Sequence, residues 1–194
     1  MADLHSPISH SHPPPQAPHS DLELSETMPG GLLQIAGWSG FEAAAMPALS
    51  TFGLEGLGDY RNARSAGGAT VYRIAPDRLL LRHSEPSALA KASAALDPER
   101  ACSLDLSHAR WVFAIEGATA PALLARLLPI DCDPACFPVD CFVQTAVHHV
   151  GVLLHRRAEK HWELLVPVTW AQSLWDYLCE AAVPLGYRLQ QSSA

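Results

Sequence analysis

Three cysteines stand close together, Cys132, Cys136 and Cys141, spaced C-x3-C-x4-C among Asp131, Asp133 and Asp140. Thiolates beside carboxylates are zinc donors, but zinc takes four fixed ligands, usually from two short-spaced pairs. Here the cysteines share one Pro-rich loop without a C-x2-C pair, and a fourth ligand would have to be His108 or His149. Half-buried, idle thiols are the simpler expectation. His148-His149 lies between two apolar strand runs. Neighbouring strand residues point to opposite faces, so the pair cannot chelate from one face. One is expected toward the core and one toward solvent or a partner. Asp105, Ser107 and His108 have the residue types of a catalytic relay, yet relay members generally come from distant parts of a chain. Gly37-Trp38-Ser39-Gly40 imitates a G-x-S-x-G nucleophile turn, but Phe41 stands where the last glycine belongs. Neither G-x-G-x-x-G after a strand nor a Walker loop occurs. His5, His10, His12 and His19 lack neighbours that would fix them as ligands. No catalytic, cofactor-binding or metal-binding residue is assigned.

The elements that would position these groups alternate between strands and short helices. Residues 1–28, rich in Pro, Ser and His, are expected as a mobile tail, and 29–190 as one domain. Leu32 to Trp38 is a short apolar strand. In Phe41 to Gly58, Ala43-Ala44-Ala45 favours a helical turn that Pro47 and Gly53 should limit. Residues 58–69 carry loop chemistry. Ala69 to Ile74 and Arg78 to Arg82 form a hairpin about Ala75-Pro76-Asp77. A helix from about Pro86 to Leu96 is expected to be capped by Ser84.

Trp111, Phe113 and Ile115 alternate with Val112 and Ala114, the pattern of a strand with one face of large residues. A helix capped by Thr119 follows, with Leu123, Leu124, Leu127 and Leu128 as its buried stripe and Pro129 as its stop. After a loop from Asp131 to Asp140, strands are expected at 143–147, 150–154 and 162–166. The last helix starts at Thr169, whose spacing to Gln172 fits a capping box. Ala171, Leu174, Trp175, Leu178 and Ala182 share one of its faces. Trp170, Trp175 and Tyr177 widen its apolar girth. They fit equally a second core layer or a subunit interface, where aromatic anchors are enriched. Together these elements predict α+β, with helices packed on mostly antiparallel sheet.

Composition narrows the function classes. The chain has 194 residues, with 13 Lys+Arg against 20 Asp+Glu, hence a net charge of −7. A nucleic-acid binder would show the opposite sign, and a polybasic membrane anchor is excluded on the same ground. With 48% hydrophobic and only 17% charged residues, a sizeable core is expected, with some surface covered by a partner. Apolar runs fall short of the ~18 residues of a membrane span. The start shows no basic segment followed by an apolar core, so no signal peptide is expected. Five cysteines without scaffold spacing point to free thiols in the cytoplasm.

The order of short motifs carries a family resemblance. Asp105-Leu106-Ser107-His108-Ala109-Arg110 leads into a strand, followed by Gly117, an amphipathic helix, and Pro129-Ile130-Asp131 with Phe137-Pro138. Gln144-Thr145, Val166-Pro167 and Ser173-Leu174-Trp175-Asp176 complete the second half. Phe52-Gly53-Leu54 and Ile74-Ala75-Pro76-Asp77-Arg78-Leu79-Leu80 match an early glycine turn and a hairpin. Over roughly residues 32–183 this order resembles the gamma subunit of heterotetrameric sarcosine oxidase. Cys132, Ala75, Arg78-Leu79 and Asp140 depart from the family's pattern.

The resemblance implies a fold like the folate-binding domain of the glycine cleavage T-protein, with two similar halves. It implies a non-catalytic role beside alpha, beta and delta subunits, alpha in direct contact. FAD, FMN, NAD, tetrahydrofolate and zinc would belong to those partners, and none to this chain. T-protein relatives place an essential aspartate on a strand corresponding to Val150–Leu154, which holds no carboxylate here. The alternatives are a gamma-like subunit of a related N-methyl amine oxidase or dehydrogenase complex, and a stand-alone folate-binding T-protein relative.

Overall fold

Backbone amides in apolar stretches must find partners, and in this chain they find them in two sheets. The computed structural model describes residues 6–9, 17 and 20–190. Along them run β1 (Glu23–Thr27), β2 (Gly31–Gly37), α1 (Phe41–Ser50), β3 (Arg64–Ala66), β4 (Ala69–Ala75), β5 (Arg78–His83), α2 (Leu89–Ala94) and β6 (Ala101–Asp105). They continue as β7 (Arg110–Glu116), α3 (Ala120–Leu127), β8 (Phe142–Val147), β9 (Val150–Ala158), β10 (His161–Pro167), α4 (Ala171–Ala182) and β11 (Arg188–Leu189). The class is α+β, as the sequence predicts. The chain divides into two units: Pro29–His108 with Asp140–Val143, and Met1–Met28 with Ala109–Val139 and Gln144–Ala194.

In the unit built on Pro29–His108, five strands lie in the order β3-β4-β5-β2-β6. Their pairings are all antiparallel. Leu33 and Ile35 of β2, Val71 of β4, and Leu79 and Leu81 of β5 turn one face toward a common core. Helices α1 and α2 close that core, α1 with Phe41, Ala44, Ala45, Ala48 and Leu49 and α2 with Leu89 and Ala92. Helix α1 runs through Pro47 rather than stopping at it. Proline costs a helix one backbone bond and crowds the preceding turn. Burying five side chains of this helix outweighs that loss. Ser84 does not cap the next helix; Glu85 precedes a 3-10 turn, Pro86–Ala88, with no side-chain cap. Strands β3 and β6 are additions to the expected set. Of β6 only Ala101 is buried, so no apolar alternation announces it.

In the other unit six strands lie in the order β11-β1-β7-β10-β9-β8. The pair β1–β11 is parallel, and β7 pairs antiparallel with both β1 and β10. Strand β7 departs from the expected one-faced pattern, because Trp111 through Ile115 are all buried. It sits inside the sheet with both faces covered. Strand β1 departs from the tail expected over residues 1–28. Leu22 and Leu24 are 0% exposed and Glu26 is 5% exposed. The Glu26 carboxylate accepts the Trp111 indole N–H at 2.5 Å and the Ser6 hydroxyl at 2.7 Å. His5, His10, His12 and His19 lie outside the described residues.

Helix α3 buries Leu123, Leu124 and Leu127 as expected. Its cap is different. Thr119 donates its hydroxyl to Asp21 at 3.0 Å, and the other Asp21 oxygen accepts the Ala118 amide at 3.1 Å. Gly117, just before, has φ +123°, and a Cβ there would stand 2.2 Å from the Asp21 carbonyl oxygen. Only glycine fits this turn. Helix α4 buries Ala171, Leu174, Trp175, Leu178 and Ala182, the expected stripe. Its capping box does not form. The α-helix starts after a 3-10 turn, Val168–Trp170, and the Gln172 side chain accepts the Ser9 amide at 2.6 Å and donates to Asp176 at 2.9 Å.

Arg156, on buried β9, organises the loop that precedes β8. Its guanidinium donates to the carbonyls of Phe137 (2.8 Å), Pro134 (3.2 Å) and Glu159 (2.7 Å). It lies over the Trp162 ring, 5.2 Å from the centroid. A planar fork of donors suits this geometry, and an ammonium does not. Replacing it strands three carbonyls, so Arg156→Ala is expected to cost about 3 kcal/mol, with Arg156→Lys recovering little of it. Urea unfolding of both variants measures this.

His161 Nδ1 donates to the Glu116 carboxylate at 2.8 Å, and Nε2 lies 3.9 Å from Glu163. Glu163 and Glu116 raise its pKa above the ordinary histidine value. The folded chain therefore holds this proton more tightly than the unfolded chain. The stabilisation is complete below about pH 6.5 and is lost as pH rises through the higher folded value. The site is partly exposed, so the change is expected to stay under about 1 kcal/mol. Urea midpoints of the wild type across this window, against a flatter His161→Gln profile, check it.

Candidate interaction surface

The residue types that resemble catalytic machinery are engaged in backbone structure. Ser107 donates its hydroxyl to Asp105 at 2.6 Å and its amide to the same oxygen at 2.9 Å. Its hydroxyl oxygen also accepts the Leu32 amide at 3.0 Å. The Ser107 hydroxyl, ahead of its amide, holds the Asp105 carboxyl below the usual carboxylate range. The pair forms a local turn that fastens β6 to β2. Gly37 to Phe41 does form a strand–turn–helix, yet Gly40 rather than Ser39 takes the positive φ. A nucleophile turn requires the strain at the serine.

The thiols differ in exposure. Cys132 and Cys141 are buried and Cys136 is exposed. Burial pushes the Cys132 thiol up to about 11, which leaves little thiolate at neutral pH. Among the described residues no three His, Cys, Asp or Glu side chains converge as metal ligands would. Strand β9 carries Val152, Leu153 and Leu154 buried.

The tryptophans sort themselves by depth. Trp162 is fully buried beside Phe137, ring centroids 5.2 Å apart. Trp175 packs edge-on against Phe113, also at 5.2 Å. Trp111 is held by Glu26. Trp170 is 51% exposed, and Tyr177 of α4 lines the same hollow. Of the two readings open for the last helix, core describes Trp175 and surface describes Trp170 and Tyr177.

These two rings wall a groove of about 640 Å³ at the start of α4. Val147, Val150, Pro167 and Leu174 supply most of the remaining apolar wall. His148 and His149 form its rim, in the turn joining β8 to β9. Both are exposed, so neither faces the core as expected, because the two-residue turn places them outside the ladder. His148 has φ 52°, a conformation that β-turns normally give to glycine or asparagine. Its ring rests on Tyr177, with centroids 4.5 Å apart.

Beside the groove lies Arg110, which sequence reasoning did not single out. It sits at the start of β7, opposite Pro167 of the groove wall. Its guanidinium donates to the Gly151 carbonyl, also part of the wall, at 3.4 Å. None of the eleven lining residues is acidic. The only signal in the sequence is the arginine that closes the Asp105–Arg110 motif.

Comparison with known proteins gives this surface its context. No protein-family model matches the chain. The sarcosine oxidase subunit gamma of Corynebacterium sp. (strain U-96) is 31% identical over 161 residues, 82% of this chain and 77% of that protein. The subunit gamma of Arthrobacter sp. is 32% identical over 152 residues, 78% of this chain and 73% of that protein. A chain of the heterotetrameric sarcosine oxidase from Corynebacterium sp. U-96, solved in complex with pyrrole 2-carboxylate, superposes with a TM-score of 0.78 at 25% identity. That match covers 87% of this chain and 88% of that one. Aminomethyltransferase T of the glycine cleavage system from Bartonella henselae shares the fold, with a TM-score of 0.57 at 16% identity over 88% of this chain and 48% of that one. By sequence and by fold, the chain belongs to the family of sarcosine oxidase gamma subunits.

Proposed function

We propose that this chain is a non-catalytic subunit that helps hold together a four-subunit sarcosine oxidase. The assembly oxidises the N-methyl group of sarcosine, releasing glycine, with the methyl carbon passing to tetrahydrofolate and oxygen becoming hydrogen peroxide. FAD, FMN, NAD, tetrahydrofolate and zinc belong to the alpha, beta and delta subunits, and alpha is the direct neighbour. The complex works in the cytoplasm, without nucleic acid or membrane. Among the described residues no helix is long and apolar enough to cross a membrane.

The observation that carries this reading is the relation to gamma subunits across some four-fifths of the chain. A second supports the absence of chemistry here. The Ser107 hydroxyl and the Asp105 carboxylate are committed to a turn, and the Cys132 and Cys141 thiols are buried.

Two results follow. A tagged copy expressed with the other three subunits is expected to co-purify with them, while the chain alone shows no flavin absorbance and tends to aggregate. A yellow, active single chain would overturn the reading. Ser107→Ala is expected to cost about 1–2 kcal/mol of stability by removing two hydrogen bonds, yet to leave turnover of the assembled complex unchanged. A tenfold loss of turnover in an intact complex would make Ser107 catalytic.

A further inference from the structure

Arg110 is a half-buried cation whose charge meets no carboxylate among the described residues. Its hydrogen bond runs to a carbonyl, that of Gly151, at a long 3.4 Å. Of the other arginines in the same unit, Arg156 gives its guanidinium to three carbonyls and two more meet carboxylates. Arg188 meets Glu23 at 3.0 Å and Arg157 meets Glu163 at 3.7 Å. Taking a guanidinium partly out of water without an anion is unfavourable. Burial accordingly draws the Arg110 pKa down.

The groove next to it lacks acidic groups and is open to solvent along Trp170. Its volume of about 640 Å³ has room for several side chains. His148 keeps a strained backbone, and Tyr177 braces its ring at the rim. Strain of this kind persists only where the surroundings over-determine it, and it gathers at binding sites. An unpaired cation beside an apolar, acid-free hollow with a pre-set aromatic rim is complementary to an anion joined to an apolar group.

Resting on the subunit reading above, we propose that this groove receives a segment of a partner subunit that carries a carboxylate beside an apolar side chain. The Asp or Glu of that segment pairs with Arg110. The apolar side chain enters between Trp170, Leu174 and Tyr177, and the His148 and His149 rings offer N–H donors at the rim. A desolvated guanidinium–carboxylate pair at the edge of an aromatic anchor is the arrangement that dominates binding at protein interfaces.

The test uses the full chain expressed with the other three subunits, one of them tagged. Arg110→Glu and Trp170→Ala are expected to lower the co-purified share of this chain at least tenfold. Arg110→Lys should retain most of it, and all three should keep the wild-type melting temperature to within a few degrees. A photo-crosslinking residue in place of Trp170 should join a partner-subunit peptide containing Asp or Glu. Wild-type recovery of both Arg110→Glu and Trp170→Ala would overturn the groove as a docking site. Loss with Trp170→Ala alone would overturn the carboxylate pairing. A crosslink to a second copy of this chain would overturn the choice of occupant. Failure of the wild type itself to co-purify would overturn the subunit reading first, and so stands apart from these.

Discussion

A strand covered on both faces can satisfy its peptide groups only through its neighbours, and β7 and β10 are covered in this way. Much of their unit follows from that constraint. Strand β1 lies along one side of β7 and β10 along the other, so the backbone of Trp111 to Ile115 is spent within the sheet. Polar side chains that point into such a sheet need specific partners as well. Glu26 has Trp111 and Ser6, and Arg156 has three carbonyls and the face of Trp162. These bonds are what connect the interior of the sheet to the loops around it.

The parts of the fold that are legible in the sequence are those where apolar period and burial coincide. The hairpin of β4 and β5, the leucine stripe of α3 and the buried face of α4 are of this kind. Where an element is made by partners rather than by its own side chains, the sequence is silent. Strand β1 has two large apolar residues near it, Leu22 and Leu24, and is otherwise polar. Its place depends on Glu26 finding an indole 85 residues away. The same holds for caps. Ser84, Thr119 and Thr169 have suitable chemistry, but helix ends are satisfied by whatever donor or acceptor lies nearest. For α3 that is Asp21, 97 residues upstream of Ala118.

Function is legible differently. A surface that binds needs only shape, apolar area and a suitable charge, and none of these follows a residue spacing. The order of motifs points to the relatives, and two of those motifs hold backbone together. Gly117 admits a close backbone approach, and the Asp105–Ser107 turn ties one strand to another. Arg110 is visible as a member of a motif, but that its guanidinium meets a carbonyl and no carboxylate among the described residues is seen only once Pro167 and Gly151 are brought beside it.

The parallel pair of β1 and β11 joins residues 23 and 24 to residues 188 and 189. During synthesis on the ribosome, β1 can lie against β7 long before β11 has emerged. Until then its outer rim of amides and carbonyls is open to any strand that drifts past. Residues 188 and 189 pair with that rim once they are made and close it, like a selvedge along a cloth.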